Sequence, residues 1–282
     1  MNEQNKKMEL LGSAPIPKAL LSMGIPTMIG MLINALYNLA DTYFVGKLGT
    51  EEMAAVTVAY PLGQVVVGLG LLFGNGAAAY LSRLLGCGDK ETANKVASTA
   101  LYSGILSGAV VILCFVVFMN PILKQMGAIE SVMPYAHTYA SIYITFSIFN
   151  VFNVIMNNIV SSEGAAKTAM FALMMGAVLN VLLDPIFIFG LHLRVAGAAI
   201  ATAVSQLVST IVYLCYIFRK KSMFNFRIRE CCFSKEIVAE VLKIGIPTLV
   251  FQLLTSLSIA MINDAATAVS YTHLRAHETP EH

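Results

Sequence analysis

The chain has 282 residues, of which 57% are hydrophobic and only 12% are charged, with a net charge of +2. This composition excludes an ordinary soluble globular domain, in which about 25% of residues are charged. We therefore expect an all-α, multi-pass membrane protein whose apolar spans face the lipid bilayer.

Seven segments are long and apolar enough to cross a bilayer as helices. They lie at about 18–42, 54–80, 96–119, 134–158, 168–190, 196–218 and 237–262. With Arg275 set aside, fourteen Lys and Arg residues fall on the side of the N-terminus, and three, Lys47, Lys124 and Arg194, fall on the other. Cytoplasmic connections carry the excess of basic residues, so the N-terminus is predicted to be cytoplasmic.

The first span carries a polar stripe, since Asn34, Tyr37, Asn38 and Asp41 recur at steps of three and four residues. Such a stripe cannot face lipid without cost, so it is expected to face the interior. Asp41 falls in the outer half of the span. An acid at the helix end, in the membrane interface, is the alternative interpretation.

The fourth span carries two polar stripes at helical spacing. These are Tyr135, Tyr139 and Tyr143, followed by Asn150, Asn153 and Asn157. Tyrosines near an interface often serve only as anchors. The asparagines either hydrogen-bond neighbouring helices or line a wet cavity, and the sequence leaves both open.

Asp184 is the only ionisable residue in the run from 170 to 190. Even by low estimates, inserting an acid near the centre of a spanning helix costs about 2.5–3.5 kcal/mol of free energy. Asn180 precedes Asp184 by four residues, so the two share a face and could hydrogen-bond each other or hold a common cation or proton. Pro185 removes a backbone donor beside the acid. The alternative places Asp184 at the membrane surface.

The connection at 219–236 is strongly basic and is interpreted as a linker and topology anchor. No stacking aromatic pattern or folded module accompanies its charges, so no nucleic-acid partner is expected. In the sixth span, Thr202 either bonds back to its own helix or faces the interior.

An internal repeat follows, because Leu-Leu-Ser-Met-Gly-Ile-Pro-Thr at 20–27 returns as Val-Leu-Lys-Ile-Gly-Ile-Pro-Thr at 241–248. Six spans separate the copies, so both enter the membrane from the same side. This pattern is typical of parallel repeats related by an axis along the membrane normal, with substrate handled between the halves. The second half is here represented by one span, so we expect the chain to be a fragment.

Five motifs carry a resemblance to a known family. They are Gly-Ile-Pro at 24–26, Leu-Tyr-Asn-Leu-Ala-Asp-Thr-Tyr-Phe-Val-Gly at 36–46, Ser-Glu-Gly at 162–164, Asn-Val-Leu-Leu-Asp-Pro at 180–185 and Gly-Ala-Ala-Ile-Ala-Thr at 197–202. Over residues 15–268 the chain resembles the multidrug and toxic compound extrusion (MATE) transporters, and most closely their DinF-like branch.

The resemblance implies a twelve-span, two-bundle antiporter of the cell (inner) membrane, which expels small organic cations and other drugs in exchange for sodium ions or protons. It is not an enzyme and needs no cofactor beyond the coupling ion, and the full-length protein is expected to be monomeric. The implied ligands of sodium, or carriers of the proton, are Asp41, Asn180, Asp184 and Thr202. The implied substrate cavity is lined by Asn34, Tyr37, Tyr139 and Asn157.

The predicted organisation has five parts. They are a cytoplasmic segment (1–15), a six-helix N-terminal bundle (16–218), a cytoplasmic linker (219–236), the first helix of a second bundle (237–268) and an unrelated tail interpreted as a translation artefact (269–282). Two other functions remain open. One is a lipid-linked precursor flippase of the same superfold, which would place basic side chains in its cavity. The other is a non-pumping seven-span receptor or channel-like protein.

Overall fold

The computed structural model describes Lys7 and residues 14–278, without the side chains of residue 264 and of residues beyond 265. The side chains of the predicted tail at 269–282 therefore lie outside the described residues. Over the described residues the fold is all-helical, as predicted. Its helices are α1 (Ile16–Gly46), α2 (Thr50–Cys87), α3 (Lys90–Val117), α4 (Met119–Gln125), α5 (Met133–Phe146), α6 (Ile148–Ser162), α7 (Ala166–Pro185), α8 (Val195–Phe218) and α9 (Lys235–Glu278).

Six helices are individually long and apolar enough to cross a membrane, and α5 with α6 forms a seventh candidate span. That pair corresponds to the span predicted at about 134–158, and its two helices meet at an angle of 47°. Ser147 stands at the break, where its backbone N–H and its hydroxyl both donate to the Ile144 carbonyl, at 3.1 Å and 2.6 Å. These bonds to the residue three back interrupt the regular ladder and account for the kink.

The helix becomes wider directly after α7, where a single π-helical turn runs from Ile186 to Gly190. Pro185 has no N–H to continue the regular ladder. The next turn closes instead through the N–H of Leu191, which donates to the Ile186 carbonyl at 2.8 Å. Asp184 consequently lies at the last regular turn of α7, directly before the change in pitch.

Three contacts organise the bundle, namely α1 against α7, α9 along the length of α2, and α2 against α6. Polar side chains reinforce the second contact: Gln252 donates to Gln64 at 2.8 Å, and the Ser256 hydroxyl donates to the Pro61 carbonyl at 2.9 Å. Arg83 and Glu240 pair at the end where α9 begins, which we call the basic end. The helix that opens the second copy of the repeat is thus packed on the first bundle.

Candidate functional site: a neutral cavity beside two carboxyl groups

A cavity of about 500 Å³ opens between α1, α2, α6, α7 and α8, with one side chain from α5. Its most common lining group is the side-chain amide, from Asn34, Asn38, Asn75, Asn150, Asn153, Asn157, Asn158, Asn180, Gln64 and Gln206. No Asp, Glu, Lys or Arg is among the lining residues that the structure describes. The wall can therefore offer hydrogen bonds to many solutes, but it carries no formal charge.

Amide side chains on α6 both face the cavity and join helices, so the two interpretations left open by the sequence apply together. Asn153 donates to the backbone and side-chain oxygens of Gln206, each at 2.8 Å, and accepts from the Thr210 hydroxyl at 3.0 Å. One turn further along, Asn157 donates to the Tyr213 hydroxyl at 3.1 Å. These bonds fix which face of α6 is turned toward α8.

Asp184 lies behind this wall and is fully buried. Neither of its carboxyl oxygens has a hydrogen-bond partner among the described residues. A hydrogen bond with Asn180, which the four-residue spacing allowed, is not formed. Asn180 instead donates from its side-chain N–H to the Thr202 hydroxyl at 3.3 Å. The side-chain oxygen of Asn180 has no hydrogen-bond partner among the described residues.

A buried carboxylate without partners is strongly unfavourable, since burial removes the water that stabilises its charge. Such a group is expected to carry a proton or to bind a cation. The unpartnered oxygens of Asp184, together with that of Asn180, are of the hard type that sodium ions prefer, and the Thr202 hydroxyl lies beside them. The residues present therefore fit either a proton or a sodium ion.

Asp41 brings a second carboxyl group to the same region from α1. One of its oxygens is buried and unpartnered, and its charge acts on that of Asp184. Tyr139 lies within electrostatic range of both carboxyl groups. The structure thus brings Asp41, Asn180, Asp184 and Thr202 into one neighbourhood, with Asn180 and Thr202 also lining the cavity.

Of the four residues predicted to line the cavity, Asn34, Tyr37 and Asn157 do so, and Tyr139 does not. Tyr139 is buried behind the wall, where its ring stacks on that of Tyr143 with centroids 5.6 Å apart. It is Tyr143, one turn further along α5, that reaches the cavity. Tyr139 and Tyr143 lie on the same face of α5, but only Tyr143 lines the cavity.

Several wall residues were not predicted, including Tyr60, Gln64 and Gln206. The two glutamines had a usable signal, because an amide within an apolar span needs an interior partner. Tyr60 had none, since a tyrosine near a span end also suits the membrane interface. Gly63 makes room for the neighbouring Tyr143, because a Cβ atom on Gly63 would come within 2.8 Å of the Tyr143 hydroxyl.

Comparison with known proteins decides the family. The MatE family model matches residues 26–186. The chain belongs to the MatE family. Among its relatives, the multidrug export protein MepA of Staphylococcus aureus (strain NCTC 8325 / PS 47) is 30% identical over 261 residues, which are 92% of this chain and 58% of MepA. MepA of Staphylococcus saprophyticus is 32% identical over 247 residues, covering 87% of this chain and 55% of that protein.

A solved structure of a multidrug resistance MATE family transporter of the MOP superfamily, in an outward-facing conformation, superposes with a TM-score of 0.85. It is 32% identical, and the match covers 96% of this MatE chain and 62% of that transporter. The relatives are export proteins, not enzymes. This chain spans little more than half the length of the MepA proteins, so the activity of a whole exporter is a proposal for it.

Proposed function

We propose that this MatE chain forms the ion-coupling bundle of an exporter of organic cations and other drugs. The observation that carries the proposal is the burial of Asp184 without hydrogen-bond partners beside the carboxyl group of Asp41. Two neighbouring buried acids are unfavourable when both are charged, unless one takes up a proton or a cation binds between them. Occupancy by sodium or protons would therefore change the relative stability of two helix arrangements.

Each residue has a role in this scheme. Asp41 and Asp184 would hold the sodium ion or take up the proton, and Asn180 and Thr202 would complete the set of oxygen ligands. Since Asn180 and Thr202 also line the cavity, a change at the carboxyl groups would be transmitted to the drug-binding wall through their hydrogen bond. Export follows if the ion-occupied arrangement binds drug more weakly.

Drug efflux from cells carrying Asp184→Asn in the complete transporter tests the coupling role. The variant keeps the shape of the side chain but cannot bind a proton as a carboxylate does, so ion-driven efflux should fall at least about tenfold. Glu130→Gln, which alters an exposed carboxylate outside the cavity, is the matched control and should retain efflux. Unchanged ion-driven efflux in Asp184→Asn would refute the proposal.

Sodium and proton coupling are separated by thermal unfolding of the purified chain in NaCl and in choline chloride. A ligand that binds only the folded state raises stability by about 2.7 kcal/mol at 100 times its Kd. If sodium is the coupling ion, the unfolding temperature should be higher in NaCl than in choline chloride, and Asp184→Asn should abolish that difference. Proton coupling predicts equal midpoints in the two salts.

The cavity does not favour the flippase alternative, which would place basic side chains in the wall. The lining residues that the structure describes include neither Lys nor Arg. A non-pumping receptor is likewise disfavoured, because the relatives are export proteins and the repeat restarts after the sixth span.

A further inference from the structure

The connection between α8 and α9 is an ordered segment laid across α3, which we call the basic strap (residues 219–234). Three side chains of α3 hold its backbone: Asn94 accepts from Asn225 N at 3.1 Å, Tyr102 donates to the Phe226 carbonyl at 3.0 Å, and Thr99 exchanges two hydrogen bonds with Cys232, at 3.2 Å and 2.9 Å. The strap is therefore held in place on the bundle and does not act as a free linker.

The two sides of the strap differ in chemistry. Ser222, Phe224 and Phe226 point inward and are buried, and the two rings pack edge to face at 6.2 Å. Four cations point outward and are exposed, namely Arg219, Lys220, Arg227 and Arg229. None of the four forms an ion pair with a residue that the structure describes. Glu230 is the only acid in the strap.

Large apolar side chains are exposed among these cations. Phe218 is 78% exposed, Ile228 69% and Phe233 68%. Phe218 ends an exposed stripe on α8 that also includes Leu207, Ile211 and Cys215, at the spacing of one helix face. Such a stripe has the composition of the lipid-facing side of a spanning helix, and Arg219 follows it directly. The cations thus begin at the depth where acyl chains give way to headgroups.

We propose that the basic strap is a binding site for the phosphate headgroup of anionic phospholipids in the leaflet at the basic end. Arginine presents a planar fork of N–H donors that matches phosphate oxygens, and Lys220 adds a second type of cation. Phe218, Ile228 and Phe233 would enter the boundary between headgroups and acyl chains. Because the strap is already ordered, binding loses little backbone entropy.

Lipid is favoured over other anionic partners by the position of the apolar residues. A soluble phosphate or an acidic protein would explain the cations, but it would leave three large apolar side chains exposed to water next to them. A membrane surface satisfies both features together. This inference depends on the membrane placement of α8 and not on the proposed transport activity.

The test is binding of phosphatidylglycerol and of phosphatidylcholine to the purified chain in neutral detergent, followed by native mass spectrometry. The wild type should prefer phosphatidylglycerol, and rising salt should weaken that preference. Each cation near an anionic membrane surface increases the binding constant about fivefold. The double variant Arg227→Gln/Arg229→Gln should therefore bind phosphatidylglycerol at least about tenfold more weakly. Equal affinity of the wild type for the two lipids would overturn the proposal.

The matched control is Lys18→Gln/Lys167→Gln, which removes two exposed cations of the same end from α1 and α7, helices that do not pack on α3. Its lipid preference should equal that of the wild type, and an equal loss in both double variants would mean that only net charge matters. Ile228→Ser/Phe233→Ser should weaken lipid binding with all cations retained. Full displacement of lipid by equimolar glycerol phosphate would contradict a lipid site.

Discussion

Gly245 of α9 lies directly against the backbone of Leu72 on α2, so close that a Cβ atom on Gly245 would overlap the Leu72 carbonyl oxygen. Gly76 meets the Val241 carbonyl in the same way one turn away. Glycines at these crossing points let two spanning helices approach at backbone distance, as small residues do in membrane bundles. The first helix of the second repeat is thereby held on the first bundle.

Gly245→Ala is expected to lower the free energy of unfolding by about 1–3 kcal/mol, because the helices must move apart to admit the methyl group. The repeat supplies a matched control in Gly24→Ala. Gly24 occupies the same motif on α1, but apart from its own stretch of helix no described residue has an atom within 4 Å of the added carbon. That control should be neutral or stabilising by about 0.5–1 kcal/mol, because alanine favours helix. Thermal unfolding in detergent measures both variants, and equal midpoints would refute the close contact.

Much of this fold could be predicted from the sequence, because a membrane imposes the length and composition of each span. The polar stripe of α1 and the acid of α7 were placed in the interior by the cost of burying them in lipid. The bend at Ser147 was not predictable, since a serine within a span usually bonds back without breaking the helix. The sequence also did not show that Tyr143 lines the cavity while Tyr139 is buried, because that difference depends on how α5 is rotated against its neighbours.

The buried acids at the two ends of the bundle were likewise not predicted, because their partners come from distant parts of the chain. Glu52 pairs with Arg194, and Glu163 meets Lys7 and Tyr216. Glu163 belongs to the Ser-Glu-Gly motif at 162–164, but in the sequence neither glutamate carries a signal that its side chain is buried. Only the folded structure shows that they are enclosed.

Removing the cation opposite Glu52 should destabilise the protein. The Glu52 side chain is only 4% exposed, whereas that of Arg194 is 56% exposed and also lies over the Tyr135 ring. Arg194→Gln leaves a buried carboxylate without its cation, and because solvent already screens the arginine we expect a loss of about 2 kcal/mol. Unfolding by heat, monitored by circular dichroism, gives the change.

The double variant Glu52→Gln/Arg194→Gln is the control for this pair. With neither charge present, most of the lost stability should return, since the penalty comes from the unpaired carboxylate. If the double variant is as unstable as Arg194→Gln alone, packing of the arginine against Tyr135 is the larger effect.

Glu163 should make stability depend on pH. Burial raises the pKa of its carboxyl group above the ordinary value of 4.5, and Lys7 and the hydrogen bonds from Tyr216, Met223 N and Ser222 offset only part of that rise. An acid whose folded-state pKa is raised contributes stability that is fully present below its unfolded pKa and is lost as pH rises through the folded one. The wild type should therefore lose stability relative to Glu163→Gln as pH rises above about 4.5.

Melting curves of both proteins from about pH 4 to about pH 8 measure that difference. The variant keeps the size of the side chain and an acceptor for Ser222, so its own curve should be flatter. Glu91→Gln, at an exposed carboxylate on α3, is the control and should follow the wild type. Parallel curves for the wild type and Glu163→Gln would show that the carboxyl group keeps its ordinary pKa.

The hydrogen bond from Asn180 to Thr202 joins α7 to α8 beside Asp184, and its loss should be measurable. Thr202→Val preserves the shape of the side chain and removes the acceptor, which should lower the free energy of unfolding by about 1 kcal/mol, typical of a hydrogen bond between spanning helices. Thr202→Ser keeps the hydroxyl and should retain most of the stability. If valine and serine prove equally stable, Asn180 finds another acceptor and the link between the carboxyl groups and the cavity wall does not pass through Thr202.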